Sequence, residues 1–84
     1  MDAKLKADWV KALRSGEYEQ YRGSLYYDQQ LCCLGVLWHI SGRPEQLNDL
    51  WHMHLSGHKD HLIFMNDDAG KSFSEIADYI EQNL

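Results

Sequence analysis

The stretch Gln30-Leu-Cys-Cys-Leu-Gly-Val-Leu-Trp-His-Ile-Ser41 decides the fold. Leu31, Cys32, Leu34, Leu37, Trp38 and Ile40 leave few polar positions around a helical wheel. A helix that is apolar on nearly every side is a buried, central one, so the pattern predicts such a helix over about residues 30–41. Gly35 lowers its helix propensity, and the benefit expected in return is close approach of another backbone segment. Gly42 ends the helix.

Working upstream, Leu5, Trp9, Val10 and Leu13 fall on one helical stripe, with Lys4, Lys6, Asp8, Lys11 and Arg14 opposite. Ala3, Ala7 and Ala12 favour helix, and Gly16 suits its left-handed stop. A first helix is expected from Lys4 to Ser15. Residues 17–29 carry no such stripe. Their four tyrosines, with Gly23 and Leu25, fit an extended connection or a short β-hairpin near residues 18–29.

Working downstream, Pro44 fits the first turn of a third helix reaching about Ser56, with Leu47, Leu50, Trp51 and Leu55 inward and Gly57 as its end. His58–Asn66 reads either as a two-turn helix, from Leu62 and Met65, or as a buried strand, from Leu62-Ile-Phe-Met65. Asn66-Asp-Asp-Ala-Gly70 is a turn cluster. Ser72-Phe-Ser-Glu75 is a capping box, and Phe73, Ile76, Ala77 and Ile80 form the buried stripe of a last helix. The expected architecture is mainly α: four to five short helices around a buried central helix in one small domain over residues 1–84.

Composition bounds the function. Apolar residues make up 44% and charged residues 25% of the 84 residues, an ordinary globular balance that argues against disorder. A chain of this size holds one thin core, not a cofactor domain beside a substrate domain. The net charge of −5 argues against direct binding to nucleic acid. That charge is unevenly placed: residues 1–59 hold seven acids and seven bases, whereas residues 60–84 hold six acids and only Lys71 as a base. Asp67, Asp68, Glu75, Asp78 and Glu81 are therefore the candidate surface for a basic partner. The longest apolar run, Leu31–Trp38, is eight residues, short of the roughly 20 needed to span a bilayer. With no apolar leader after Met1-Asp-Ala-Lys4, the expected location is the cytoplasm, without membrane association.

Other constellations compete. His52, His54, His58 and His61 lie within ten residues and could hold a metal in a regulatory protein, but the expected helix break at Gly57 separates them. Adjacent Cys32 and Cys33 read as small hydrophobes of the central helix. The chemical alternative is a small thiol enzyme, although His39 lies nearly two turns from the pair. Asp67-Asp68 beside Gly70 lacks the remaining spacing of a calcium loop. Lys71-Ser-Phe-Ser-Glu-Ile-Ala-Asp-Tyr-Ile80 has the pattern of the first helix of a helix-turn-helix, but no recognition helix follows and the surrounding charge has the wrong sign.

Three phrases in fixed order carry a resemblance: Trp9-Val-Lys-Ala-Leu-Arg-Ser-Gly-Glu-Tyr-Glu-Gln20, Cys32-Cys-Leu-Gly-Val-Leu37, and Asn66-Asp67 leading into Gly70-Lys-Ser-Phe-Ser-Glu-Ile-Ala-Asp-Tyr-Ile-Glu81. They resemble a family of small phage and prophage proteins, with residues 43–64 the divergent part. The resemblance implies a non-enzymatic accessory protein that needs no cofactor and binds a host protein or complex in the host cytoplasm. Inhibitors of host defence, including anti-CRISPR proteins, belong to that class. The ten aromatic residues are also compatible with a homodimer.

Overall fold

A computed structural model describes residues 1–84. Helix α1 (Ala3–Ser15) begins where the Asp2 carboxylate accepts the Leu5 backbone N–H at 2.8 Å, a side-chain N-cap. It ends at Gly16, which takes the left-handed conformation. Trp9, Val10 and Leu13 are its buried stripe, as the spacing requires. The expected hairpin is present as β1 (Tyr26–Tyr27) and β2 (Gln30–Leu31), paired antiparallel. Asp28 and Gln29 join the strands with positive φ at both positions, the backbone of a tight type I′ turn.

The central helix α2 (Cys33–Ile40) starts three residues later than the apolar pattern suggests. Gln30 and Leu31 belong to the hairpin because Leu31 is paired on both sides. Its N–H donates to the Glu19 carbonyl at 3.0 Å, and its carbonyl accepts the Tyr21 N–H at 2.9 Å. Cys32 is the N-cap, its sulfur accepting the Gly35 N–H at 3.3 Å. From Cys33 to Leu37 every residue of α2 is buried. The Trp9 indole N–H donates to the Cys33 carbonyl at 2.9 Å, tying α1 to the start of α2.

Pro44 does not open the third helix, as its position suggested. It follows a Schellman stop: Gly42 N–H donates to the His39 carbonyl at 3.2 Å and Arg43 N–H to the Trp38 carbonyl at 2.9 Å. A proline just past such a stop prevents continuation, and here its carbonyl accepts the Trp38 indole N–H at 3.0 Å. Helix α3 spans Leu47–Leu55. Leu50 and Leu55 are its buried residues, while Trp51 packs half-buried against the core. Ser56 and Gly57 both have positive φ and turn the chain into α4 (Lys59–Asp67). Residues 59–66 are thus helical rather than extended, with His58 at the N-cap. The turn cluster shrinks accordingly, because Asn66 and Asp67 are the last residues of α4. Helix α5 (Phe73–Asn83) carries the complete Ser72–Glu75 capping box.

The fold is mainly helical, with five helices and one two-stranded hairpin. Trp9, Val10 and Leu13 of α1, the buried residues of α2, Leu62 and Met65 of α4, and Phe73, Ile76, Ala77 and Ile80 of α5 form one cluster. The Cα radius of gyration, 11.4 Å, matches the roughly 12 Å of a globule of this length. No helix is long and apolar enough to cross a membrane.

Gly35 performs the role expected of it. A Cβ there would collide with the Leu25 carbonyl oxygen and crowd Leu31. That carbonyl also accepts the Cys32 N–H at 3.2 Å, so it is not free to turn away. Helix propensity alone favours Ala over Gly by about 1 kcal/mol. The collision outweighs it, and Gly35→Ala is expected to destabilise the fold by about 2 kcal/mol net, read as a lowered urea midpoint.

Candidate functional site

The acidic residues of the last third do not form one free surface. Asp78 and Glu81 converge on Arg14 of α1, at 2.6 Å and 3.1 Å. Glu75 returns the capping bond to the Ser72 N–H at 3.0 Å and lies 3.9 Å from Lys71. Asp67 accepts the Gly23 N–H at 3.0 Å and the Asn66 side-chain N–H at 2.8 Å. Of the five, only Asp68 has a carboxylate with no hydrogen-bond or ion-pair partner within the chain. The charge excess is real, but Arg14, 64 residues from Asp78, offsets part of it. Burial pairs these helices, and linear charge counting does not see that.

The histidines are likewise dispersed. No group of three or more His, Cys, Asp or Glu side chains is placed to share a metal ion. His52 is exposed on α3, and the His54 Nδ1 is buried without a hydrogen-bond partner. His58 Nδ1 lies 2.7 Å from the Tyr79 hydroxyl, while the His61 ring packs on Tyr79 with centroids 4.8 Å apart. The left-handed pair Ser56-Gly57 separates the first two histidines from the last two.

Both cysteines are free and buried. Desolvation pushes both thiols above their ordinary range. At Cys32 the N–H groups of Gly35 and Leu34 oppose that shift without cancelling it, although a helix N-terminus by itself favours a thiolate. The Cys33 thiol points at the Leu62 carbonyl, 3.6 Å away. His39 is engaged elsewhere, its Nδ1 accepting the Arg43 Nε–H at 3.1 Å. The cysteine–histidine pair needed to activate a nucleophile is not assembled.

What the fold does assemble is a groove. A cavity of about 300 Å³ opens between α3 and α4, at the small end of the range for ligand sites. Cys32 and Leu34 from the start of α2, Leu47 and Trp51 from α3, and Lys59, Ile63 and Asp67 from α4 line it. The Gly23–Leu25 segment lines it as well, its Gly23 N–H donating to the Asp67 carboxylate at 3.0 Å. The residues just before that segment are held by Asn66, the one fully buried polar side chain. Asn66 Oδ1 accepts the Gln20 Nε2–H at 2.8 Å and the Cys33 N–H at 3.2 Å. Its Nδ2 donates to the Tyr21 carbonyl and the Asp67 carboxylate, each at 2.8 Å. All four bonding capacities of the carboxamide are used. Neither the groove nor Asn66 stands out in the sequence as a functional feature. The only available signal was the sequence step Lys59, Ile63, Asp67, which places three dissimilar residues on one face of α4.

These features define a small, mainly helical protein with an apolar groove and a set of acidic residues that are partly neutralised within the chain. The chain belongs to the family described as a domain of unknown function, DUF8296, whose family model matches residues 1–57. No curated protein and no solved structure matches it.

Two outcomes follow from this chemistry. Hydrogen bonds from Ser72, its backbone N–H first, hold the Glu75 carboxyl below the usual range, and the Arg14 guanidinium does the same for Glu81. A depressed folded pKa stabilises the fold above the unfolded value, about 4.3, and that stability is lost as pH falls through the folded value. Thermal midpoints should therefore drop below about pH 4.3, and Glu81→Gln should flatten the drop. Separately, both thiols should resist iodoacetamide in the native protein and react on unfolding, as mass spectrometry would show. Rapid native labelling of Cys32 would restore the thiol-enzyme reading.

Proposed function

We propose that the chain is a non-enzymatic protein-binding module whose contact surface is the α3–α4 groove. The observation that carries this reading is an open apolar cavity flanked by exposed side chains. Ile63, which lines it, is 37% exposed, and Trp51 on α3 is only half-buried. Apolar side chains that a small fold leaves in water beside a concavity mark interaction sites. The three sequence phrases shared in pattern with small phage and prophage proteins make a host protein or complex in the host cytoplasm the proposed partner. Inhibition of host defence, in the manner of an anti-CRISPR, is the proposed role. In this reading the net charge of −5, with the unpaired Asp68 carboxylate, steers a basic partner without forming the contact itself.

Affinity capture from bacterial lysate tests the reading. Ile63→Glu should abolish capture while leaving the helical circular dichroism unchanged, because Ile63 lies outside the core cluster. Reversing Asp68 to Lys should slow association only. Capture that survives Ile63→Glu but fails with Asp68→Lys would move the contact to the acidic residues.

A further inference from the structure

The groove wall on α4 has an unusual charge order. Lys59 is the first residue of the helix and Asp67 the last. Cations at a helix N-terminus and anions at its C-terminus oppose the macrodipole, the reverse of the stabilising arrangement. Asp60 offers Lys59 partial relief, but the two groups are 4.0 Å apart and Asp60 is 93% exposed. Such a pair contributes little. The Asp67 carboxylate uses Oδ1 for both of its hydrogen bonds and Oδ2 for none. Lys59, Ile63 and Asp67 follow one another at every fourth position, so they line one face over about 12 Å, a cation, an apolar centre and an anion in turn.

Resting on the groove reading above, we infer that the partner presents an amphipathic helix, with two large apolar side chains entering the cavity between an acidic residue facing Lys59 and a basic residue facing Asp67. Side chains one turn apart on a helix are separated by about 5–6 Å, so two of them occupy the middle of the roughly 12 Å span, and the charged residues one turn further out on either side reach back to its ends. The cavity of about 300 Å³ has room for two such side chains but not for a helix body. The partner backbone therefore stays above the rim. A helical partner is favoured over an extended one because α3 and α4, which supply Leu47, Trp51, Lys59 and Ile63 to the lining, bond their own backbone groups. They offer no ladder to a strand, whereas a helix satisfies its own N–H and C=O groups. The partner's two charges also relieve the unfavourable dipole ends of α4.

Selection of the whole chain against a yeast-displayed library of helix-forming peptides tests this. Enriched peptides should carry two large apolar residues three or four positions apart, flanked by one acidic and one basic residue. Lys59→Glu should weaken those peptides about tenfold and, on fresh selection, replace the acidic residue by a basic one. Ile63→Glu should enrich nothing. Apolar pairs without the flanking charges would overturn the charge assignment and leave the groove reading intact. No enrichment by the unmodified chain, or the same peptides enriched by Ile63→Glu, would overturn both.

Discussion

One buried carboxamide holds this structure in register. Asn66 has no exposure to solvent, and a polar group so placed is costly unless every capacity is met. Here all four are met, by Gln20, Cys33, Tyr21 and Asp67. Those partners come from the loop after α1, the first turn of α2 and the end of α4. A single side chain therefore fixes three segments with respect to one another. Gln20 extends the network with a second bond, at 2.9 Å, to the Lys71 carbonyl, and so reaches the link before α5.

From that anchor the rest of the site is determined. With the Gln20–Gly23 segment pinned, Leu31 is captured between Glu19 and Tyr21 on one side and the hairpin on the other. Leu25 then passes directly over Gly35, where only a missing Cβ gives it room. The same loop lines the groove. The groove is thus a product of polar specification laid over an apolar core, and its shape depends on bonds made by Asn66 and Asp67, which themselves line it.

The parts legible in the sequence were those decided within a few residues. The stripe of α1, the Gly16 stop, the capping box of α5 and the burial of α2 all rest on local periodicity and local hydrogen bonds. The role of Gly35 was also readable, because a glycine inside an apolar helix needs a reason. The parts that escaped were decided at a distance. Leu31 continues a helical pattern, yet pairing with Glu19 and Tyr21 makes it a strand. Pro44 is compatible with either a start or a stop, and the Schellman turn before it selects the stop. Asn66 looks like a turn residue because its value lies in partners 33 to 46 positions away. The acidic residues misled for the same reason: Arg14 is remote in sequence and adjacent in space.

The packing of α5 on α1 bears on how the chain is born. Trp9, Val10 and Leu13 share one cluster with Ile76, Ala77 and Ile80. During synthesis the first helix leaves the ribosome long before its cover exists. Residues 1–57, the part matched by the family model, lack the helices that complete this cluster. The nascent segment must therefore wait with the α5 side of its apolar stripe uncovered, even once α2 has packed on it, and that interval is when chaperones and proteases have access to it.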